Sequence, residues 1–248
     1  MRLVGVGVGP GDPELLTLRG LRAFHESEVV FVPVGDAGEV GRAEAVVLAH
    51  LGDREREKVQ RLVFALSADA DEMERNHRAA AKVVVSRLEA GLGCAFATIG
   101  DPNVYSTFTY LARRVRELLP EVGIETVPGV TAMQDLASRS GTVLVEGEER
   151  LTLVPFVGDG ANPGPAVRLS GAFAMSETVV CYKGGGRLPE VVRVAQEAER
   201  IGGAVYGARL GGGEAESVGC LEELETDRLP YLSTVIFNGR GREFDESG

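Results

Sequence analysis

Apolar and polar positions divide the chain into short β-branched runs and longer stretches of helical spacing. Residues 94–99, CAFATI, form an apolar run of strand length that breaks at Gly100. From residue 103, Val104, Phe108, Leu111, Ala112, Val115 and Leu119 fall on one helical face, which predicts a helix running to Pro120. The same unit is predicted at the N-terminus: a strand at 3–6, a loop containing Gly7, Gly9 and Gly11, and a helix at 14–24. Each loop ends in Asp-Pro, at Asp12-Pro13 and Asp101-Pro102. An aspartate accepts a hydrogen bond from a free N–H at a helix start, and a proline in the first turn lacks an N–H that would go unpaired. Both pairs therefore predict helix starts with Asp at the N-cap.

Further strands are expected at 28–34, 59–66 and 123–127, a turn at 35–38, and helices at about 40–51 and 69–90. The charged stretch 52–58 reads as a surface loop, and Gly91 and Gly93 end the long helix. Thr131 is placed to cap a short helix over 133–140. Strands alternating with helices predict parallel pairing through right-handed crossovers. Beyond 141 the composition shifts: LTLVPFV from 151, a Gly/Pro/Asn-rich loop at 158–165, TVVCYKGGG from 178, a helix at 189–201, and strands at 204–210 and 232–237. GGGEAES at 211–217 reads as a glycine-rich loop and 239–248 as a frayed polar end. The expected fold class is α/β, as two α/β domains over 1–127 and 128–248.

Composition narrows the partners. The chain has 248 residues, 44% hydrophobic and 25% charged, the balance of a globular protein. No apolar run approaches the roughly 20 residues that span a bilayer, and the chain enters a strand at once, so a cytoplasmic protein without a membrane partner is expected. Cys94, Cys181 and Cys220 are odd in number and mostly in apolar runs, where they read as core residues. His25, His50 and His77 have no partner at ligand spacing, so no metal site is expected. The net charge is −11 with no block of Lys and Arg, which argues against nucleic acid. Glycines 5, 7, 9 and 11 cannot be aligned on G-x-G-x-x-G, and Pro10 stands where a phosphate nest needs an N–H donor. The ligand is therefore not expected to be held by a pyrophosphate.

GVGPGDPELLTLRG (7–20), IGDPNVYSTFTY (99–110) and VPGVTAMQ (127–134), in this order, resemble the tetrapyrrole methylase family, S-adenosylmethionine-dependent enzymes of cobalamin and sirohaem synthesis. Within it, Y-S-T after G-D-P is most similar to the branch that methylates precorrin-2 at carbon 20. Members acting on uroporphyrinogen tend to have an Asp at the end of the second strand and a G-G-D-P-F loop. Here the strand ends Val32-Pro33-Val34 and the loop is Gly100-Asp101-Pro102-Asn103.

The resemblance implies S-adenosylmethionine bound in a crevice between the two domains, a small-molecule tetrapyrrole substrate and a homodimer. By motif, cofactor contacts would fall on Pro10, Ile99, Gly100, Asp101, Val104, Thr131 and Ala132, and in the second domain on Lys183 and Arg209. Tyr105, Ser106 and Thr107, expected on a first helical turn, would offer hydroxyls to substrate carboxylates. Lys183 and Arg209 are the expected partners of acetate or propionate groups, supplying local positive charge against the global −11. Asp101 is open to three roles: general base, orienter of the cofactor, or helix cap. The rival functions are another methylase of the same architecture and a non-catalytic α/β binding module.

Overall fold

The five apolar runs of the first half all become strands in the computed structural model, which describes residues 1–35, 38–64, 70–158 and 163–239. They are β1 (Arg2–Gly7), β2 (Val29–Val34), β3 (Val59–Val63), β4 (Cys94–Thr98) and β5 (Gly123–Val127). Between them lie α1 (Leu18–Glu26), α2 (Arg42–His50), α3 (Asp53–Arg56), α4 (Ala70–Glu89) and α5 (Thr107–Leu118). The sheet order is β3-β2-β4-β1-β5, every pair parallel, with Leu3 opposite Cys94 on one side and Ile124 on the other. Strand alternation sends Val4, Val6, Val30, Val32, Ala95 and Ala97 to the face covered by Phe24 of α1 and Val46 and Val47 of α2. Leu3, Phe31, Cys94 and Phe96 point to the other face, against Ala81, Val84 and Leu88 of α4 and Phe108, Leu111 and Val115 of α5. These strands are buried on both faces, which is why they read as unbroken apolar runs.

Met1–Thr131 forms one compact unit and Ala132–Gly248 a second. The second contains α6 (Ala132–Ser140), β6 (Leu151–Pro155), α7 (Pro165–Met175), β7 (Thr178–Tyr182), α8 (Leu188–Glu197), β8 (Val205–Ala208), β9 (Ser217–Cys220) and β10 (Ser233–Asn238). Its order is β6-β7-β10-β8-β9; β6 and β7 are parallel, while β10 runs antiparallel to β7 and β8, and β9 to β8. Leu136 of α6 packs on one face with Val180, Val205 and Ile236. Phe173 of α7 and Val191 and Val194 of α8 cover the other, with Val179, Cys181 and Phe237.

Several expectations are corrected. The predicted helix at 14–24 is instead a single 3-10 turn, Pro13–Leu15, and then α1, which starts afresh because the Thr17 hydroxyl accepts from Gly20 N (3.0 Å) and competes with continued helix. Residues 52–58 contain the one-turn α3 rather than a plain loop. α7 starts at the end of the Gly/Pro/Asn-rich stretch, with Pro165 in its first turn and Leu169, Ala172 and Phe173 buried. The short strand β9 emerges from the glycine-rich GGGEAES segment. The centre of the 35–38 turn, residues 65–69 at the end of the third predicted strand and start of the long helix, residues 159–162 of the 158–165 loop and the 240–248 tail lie outside the described residues.

Cys94 and Cys181 are buried core residues, and burial pushes their thiols up to about 11 and about 12, so both stay protonated. Among the described residues no helix is long and apolar enough to cross a membrane, and no group of three or more His, Cys, Asp or Glu is placed to hold a metal ion.

Candidate functional site

In the first unit, β4, β1 and β5 are parallel neighbours, so the loops that follow them leave the same edge of the sheet, where open α/β sheets bind ligands. Val8 N donates to Thr98 O (2.9 Å) and Gly100 N to Gly9 O (2.7 Å), lacing the first two loops together. Gly9 and Gly100 take φ of +83° and +70° to do so. The third loop closes tighter still. A methyl group on Gly7 would stand 2.5 Å from the Gly100 oxygen and 2.6 Å from the Gly129 nitrogen, so three backbones meet where only glycine fits.

Asp101 is the polar link in this cluster. Its Oδ1 accepts from Asn103 N (2.8 Å) and its Oδ2 from Gly129 N (3.0 Å), joining the loop after β4 to the loop after β5. The expected helix cap is thereby corrected: α5 begins six residues later, and Ser106 is its N-cap, accepting from Phe108 N (3.0 Å). An Asx turn at Asp101 diverts the chain, and the Ser106 hydroxyl is the better placed cap because it is also bonded to Thr98 Oγ1 (2.9 Å). Beside Gly100, in the direction a side chain would take, nothing lies within 4 Å.

The remaining motif residues of this unit surround the cluster. Pro10 is buried, its carbonyl accepting from Arg42 Nη2 (3.1 Å). Ile99 and Val104 are half-buried; Ile99 leans on the valine core, and Val104 N closes a turn on Asp101 O (3.2 Å). Thr131 is buried at the end of the third loop. Tyr105 is exposed with φ +49°, Ser106 is buried, and Thr107 opens α5. The Y-S-T triplet thus enters a helix rather than forming its first turn, and the Ser106 hydroxyl is engaged inside the fold. Thr98, Asn103, Gly7 and Gly129 were not singled out as site residues from the sequence; Thr98 reads as part of an apolar strand, Asn103 as one more position of its loop, and the glycines announce only a turn.

In the second unit, β7 and β8 flank antiparallel β10 and so run parallel to each other, bringing their C-terminal ends to one edge. Lys183 N donates to Ser233 O (3.0 Å) and Arg209 N to Leu232 O (3.4 Å), so the two residues leave the sheet on either side of the start of β10, their backbones about 10 Å apart, two strand spacings. Lys183 Nζ lies 5.5 Å from the Tyr231 ring centroid, and Arg209 is exposed. Ala132 opens α6. Both cations are left-handed, with φ of +63° and +53°. That conformation costs a non-glycine residue about 1–2 kcal/mol and collects at ligand sites. Of the four non-glycine residues so held among those described, Tyr105, Lys183 and Arg209 are motif residues and only Glu199 is not.

Comparison with known proteins adds to this geometry. The family model for Tetrapyrrole (Corrin/Porphyrin) Methylases matches residues 2–225. A precorrin-2 C(20)-methyltransferase of Sinorhizobium sp is 32% identical over 246 residues, 96% of this chain and 95% of that one. A cobalt-precorrin-2 C(20)-methyltransferase of Salmonella typhimurium is 28% identical, covering 96% of each. The solved uroporphyrin-III C-methyl transferase of Thermus thermophilus complexed with S-adenyl homocysteine shares the fold, with a TM-score of 0.60 and 23% identity over 95% of this chain and 97% of that one.

Proposed function

The chain belongs to the tetrapyrrole (corrin/porphyrin) methylases, and from that premise we propose that it is an S-adenosylmethionine-dependent methyltransferase that methylates carbon 20 of precorrin-2, a cytoplasmic step of cobalamin synthesis. The observation that carries the proposal is the glycine cluster of the first unit, three loops closed backbone to backbone with open space beside Gly100 and no phosphate-binding pattern. The cofactor supplies an electrophilic sulfonium methyl for in-line transfer to carbon. The protein's part is position and a dry cavity.

Pro10, Ile99, Gly100, Val104, Thr131 and Ala132 offer main chain and small side chains to the cofactor. Asp101, fixed by two backbone N–H bonds, orients the loops against it, and its carboxylate is the candidate base if carbon 20 must lose a proton. Tyr105 and Thr107 keep their roles toward the substrate, while Ser106 contributes by setting the start of α5. Lys183 and Arg209 meet substrate carboxylates, a task that a chain of net charge −11 must assign to local cations.

A homodimer is part of the proposal, and light scattering tests it. The apolar face of α4, from Ala80 to Leu88, is buried within its own unit, so the dimer rests on the family resemblance. The activity is tested by incubating the protein with S-adenosylmethionine and precorrin-2, metal-free and cobalt-loaded, and weighing the product. A mass gain of one methyl is expected on at least one form. No gain on either, from folded protein, overturns the proposal.

A further inference from the structure

We infer that Asp135, Arg139 and Glu216 form a relay from α6 that positions the Arg209 loop, so that Glu216 sets substrate affinity without touching substrate. The inference rests on the proposed role of Arg209 toward substrate carboxylates.

The strand ladder between β8 and β9 closes at the pair Ala208–Ser217, leaving residues 209–216 beyond its last rung. Within them, Gly212 N donates to Arg209 O (2.8 Å), and Gly211 and Gly213 take φ of +73° and +59°. Glycines in such a turn leave the backbone free to reorient unless something ties it. Leu210 supplies an apolar anchor, buried in the cluster that contains Leu136 of α6.

The polar tie comes from the same helix. Asp135 and Arg139 are four residues apart and share a helical face. Asp135 is buried, and its Oδ1 receives Arg139 Nε at 2.8 Å. Arg139 Nη1 reaches Glu216 Oε1 at 2.6 Å, and Glu216 Oε2 accepts from Gly211 N at 2.5 Å. An ion pair that starts from a buried carboxylate on a helix therefore ends on the backbone N–H two residues past the left-handed Arg209. Holding that turn fixes the backbone that carries the guanidinium before substrate arrives, so less conformational freedom is lost on binding.

The test uses KM and kcat for precorrin-2, with S-adenosylhomocysteine affinity by calorimetry as the control. Glu216→Ala should raise KM roughly three- to tenfold, with kcat and S-adenosylhomocysteine affinity within about twofold of the parent. Arg209→Ala should raise KM at least as much. In the double variant the two losses should not multiply, because Glu216 acts through Arg209. Glu216→Gln keeps the acceptor for Gly211 N but not the ion pair, and should fall between parent and Ala; it carries the test if the Ala variant does not fold. If Arg209→Ala raises KM and neither Glu216 variant does, the relay is overturned and the role of Arg209 stands. If Arg209→Ala leaves KM unchanged, the role of Arg209 is wrong and the relay with it. Multiplying losses would place the effect of Glu216 elsewhere and also overturn the inference. Arg139→Ala is not a suitable probe, since Asp135 Oδ2 is already buried without a hydrogen-bond partner among the described residues and the carboxylate would lose its counter-charge.

Discussion

The two units present their strand ends in opposite ways. The first has an all-parallel sheet, so consecutive loops leave one edge side by side and can touch; what it presents is backbone, at Gly7, Gly100 and Gly129. The second inserts antiparallel β10 between β7 and β8, so the two loops at its shared edge are held apart, and what they present is side chains, Lys183 and Arg209. Glycine in the first unit permits close approach without strain. In the second, Lys183 and Arg209 occupy a conformation that glycine would take more readily, a cost that a needed side chain would account for. A parallel sheet thus suits holding an extended small molecule along main chain, and the separated cations suit a ligand with several distant carboxylates.

Crowding the glycine cluster should have the largest effect. Gly7→Ala drives a methyl group into two backbones and should cost about 3 kcal/mol, lowering Tm by roughly 6–12 °C. Gly100→Ala meets open space and should lose only the about 1–2 kcal/mol of its positive φ, roughly 2–8 °C, while weakening S-adenosylhomocysteine binding. Calorimetry of both variants checks this, and equal melting losses would mean that the three loops do not meet at Gly7.

Asp101→Asn comes next. A carboxylate accepts from both Asn103 N and Gly129 N, whereas an amide can accept at one oxygen and turns an N–H donor toward the other. The variant should lose about 1.5–3 kcal/mol and at least about tenfold in single-turnover rate. A fall in Tm with an unchanged rate would reduce Asp101 to a clamp.

In the second unit the sign reverses. Arg209→Gly removes left-handed strain and should stabilise by about 0.5–1 kcal/mol while raising KM for substrate, a trade of stability for function. A variant that is both less stable and fully active would break the comparison.

The smallest effect is in pH. All three histidines lie in the first unit. His77, stacked on Tyr110 and tilted against Phe64, is held below its ordinary pKa by burial, a lowering that nearby Glu74 opposes and Arg114 reinforces. A histidine that binds protons less readily when folded adds stability above its unfolded pKa of about 6.5, lost as pH falls through the lower folded value. Hydrogen exchange between pH 7 and 5.5 should therefore show α4 and α5 loosening before the second unit, and His77→Phe should remove the difference.

Much of this was legible in the sequence, and the failures have physical causes. The central strands β1, β2 and β4 of the first unit are buried on both faces and announce themselves as apolar runs, and the glycine loops follow from their spacing. The start of α5 was not legible because Asp101 has equally good local chemistry as a cap and as an Asx turn. Only the distant Gly129 N–H, brought close by parallel pairing of β1 and β5, decides between them. β9 is four residues long and partly exposed, too little pattern to rise above its glycine-rich surroundings. The left-handed state of Lys183 and Arg209 leaves no trace in residue type, since both would read the same on an ordinary strand end.

The central claim is tested most directly by following the methyl group itself. The protein is incubated with precorrin-2 and S-adenosylmethionine carrying an isotope-labelled methyl, and the product is examined by NMR. The account predicts one labelled methyl on the bridging carbon 20. Label on any other ring position would contradict it while leaving the family intact, and an unlabelled tetrapyrrole recovered from folded, cofactor-bound protein would contradict the reaction.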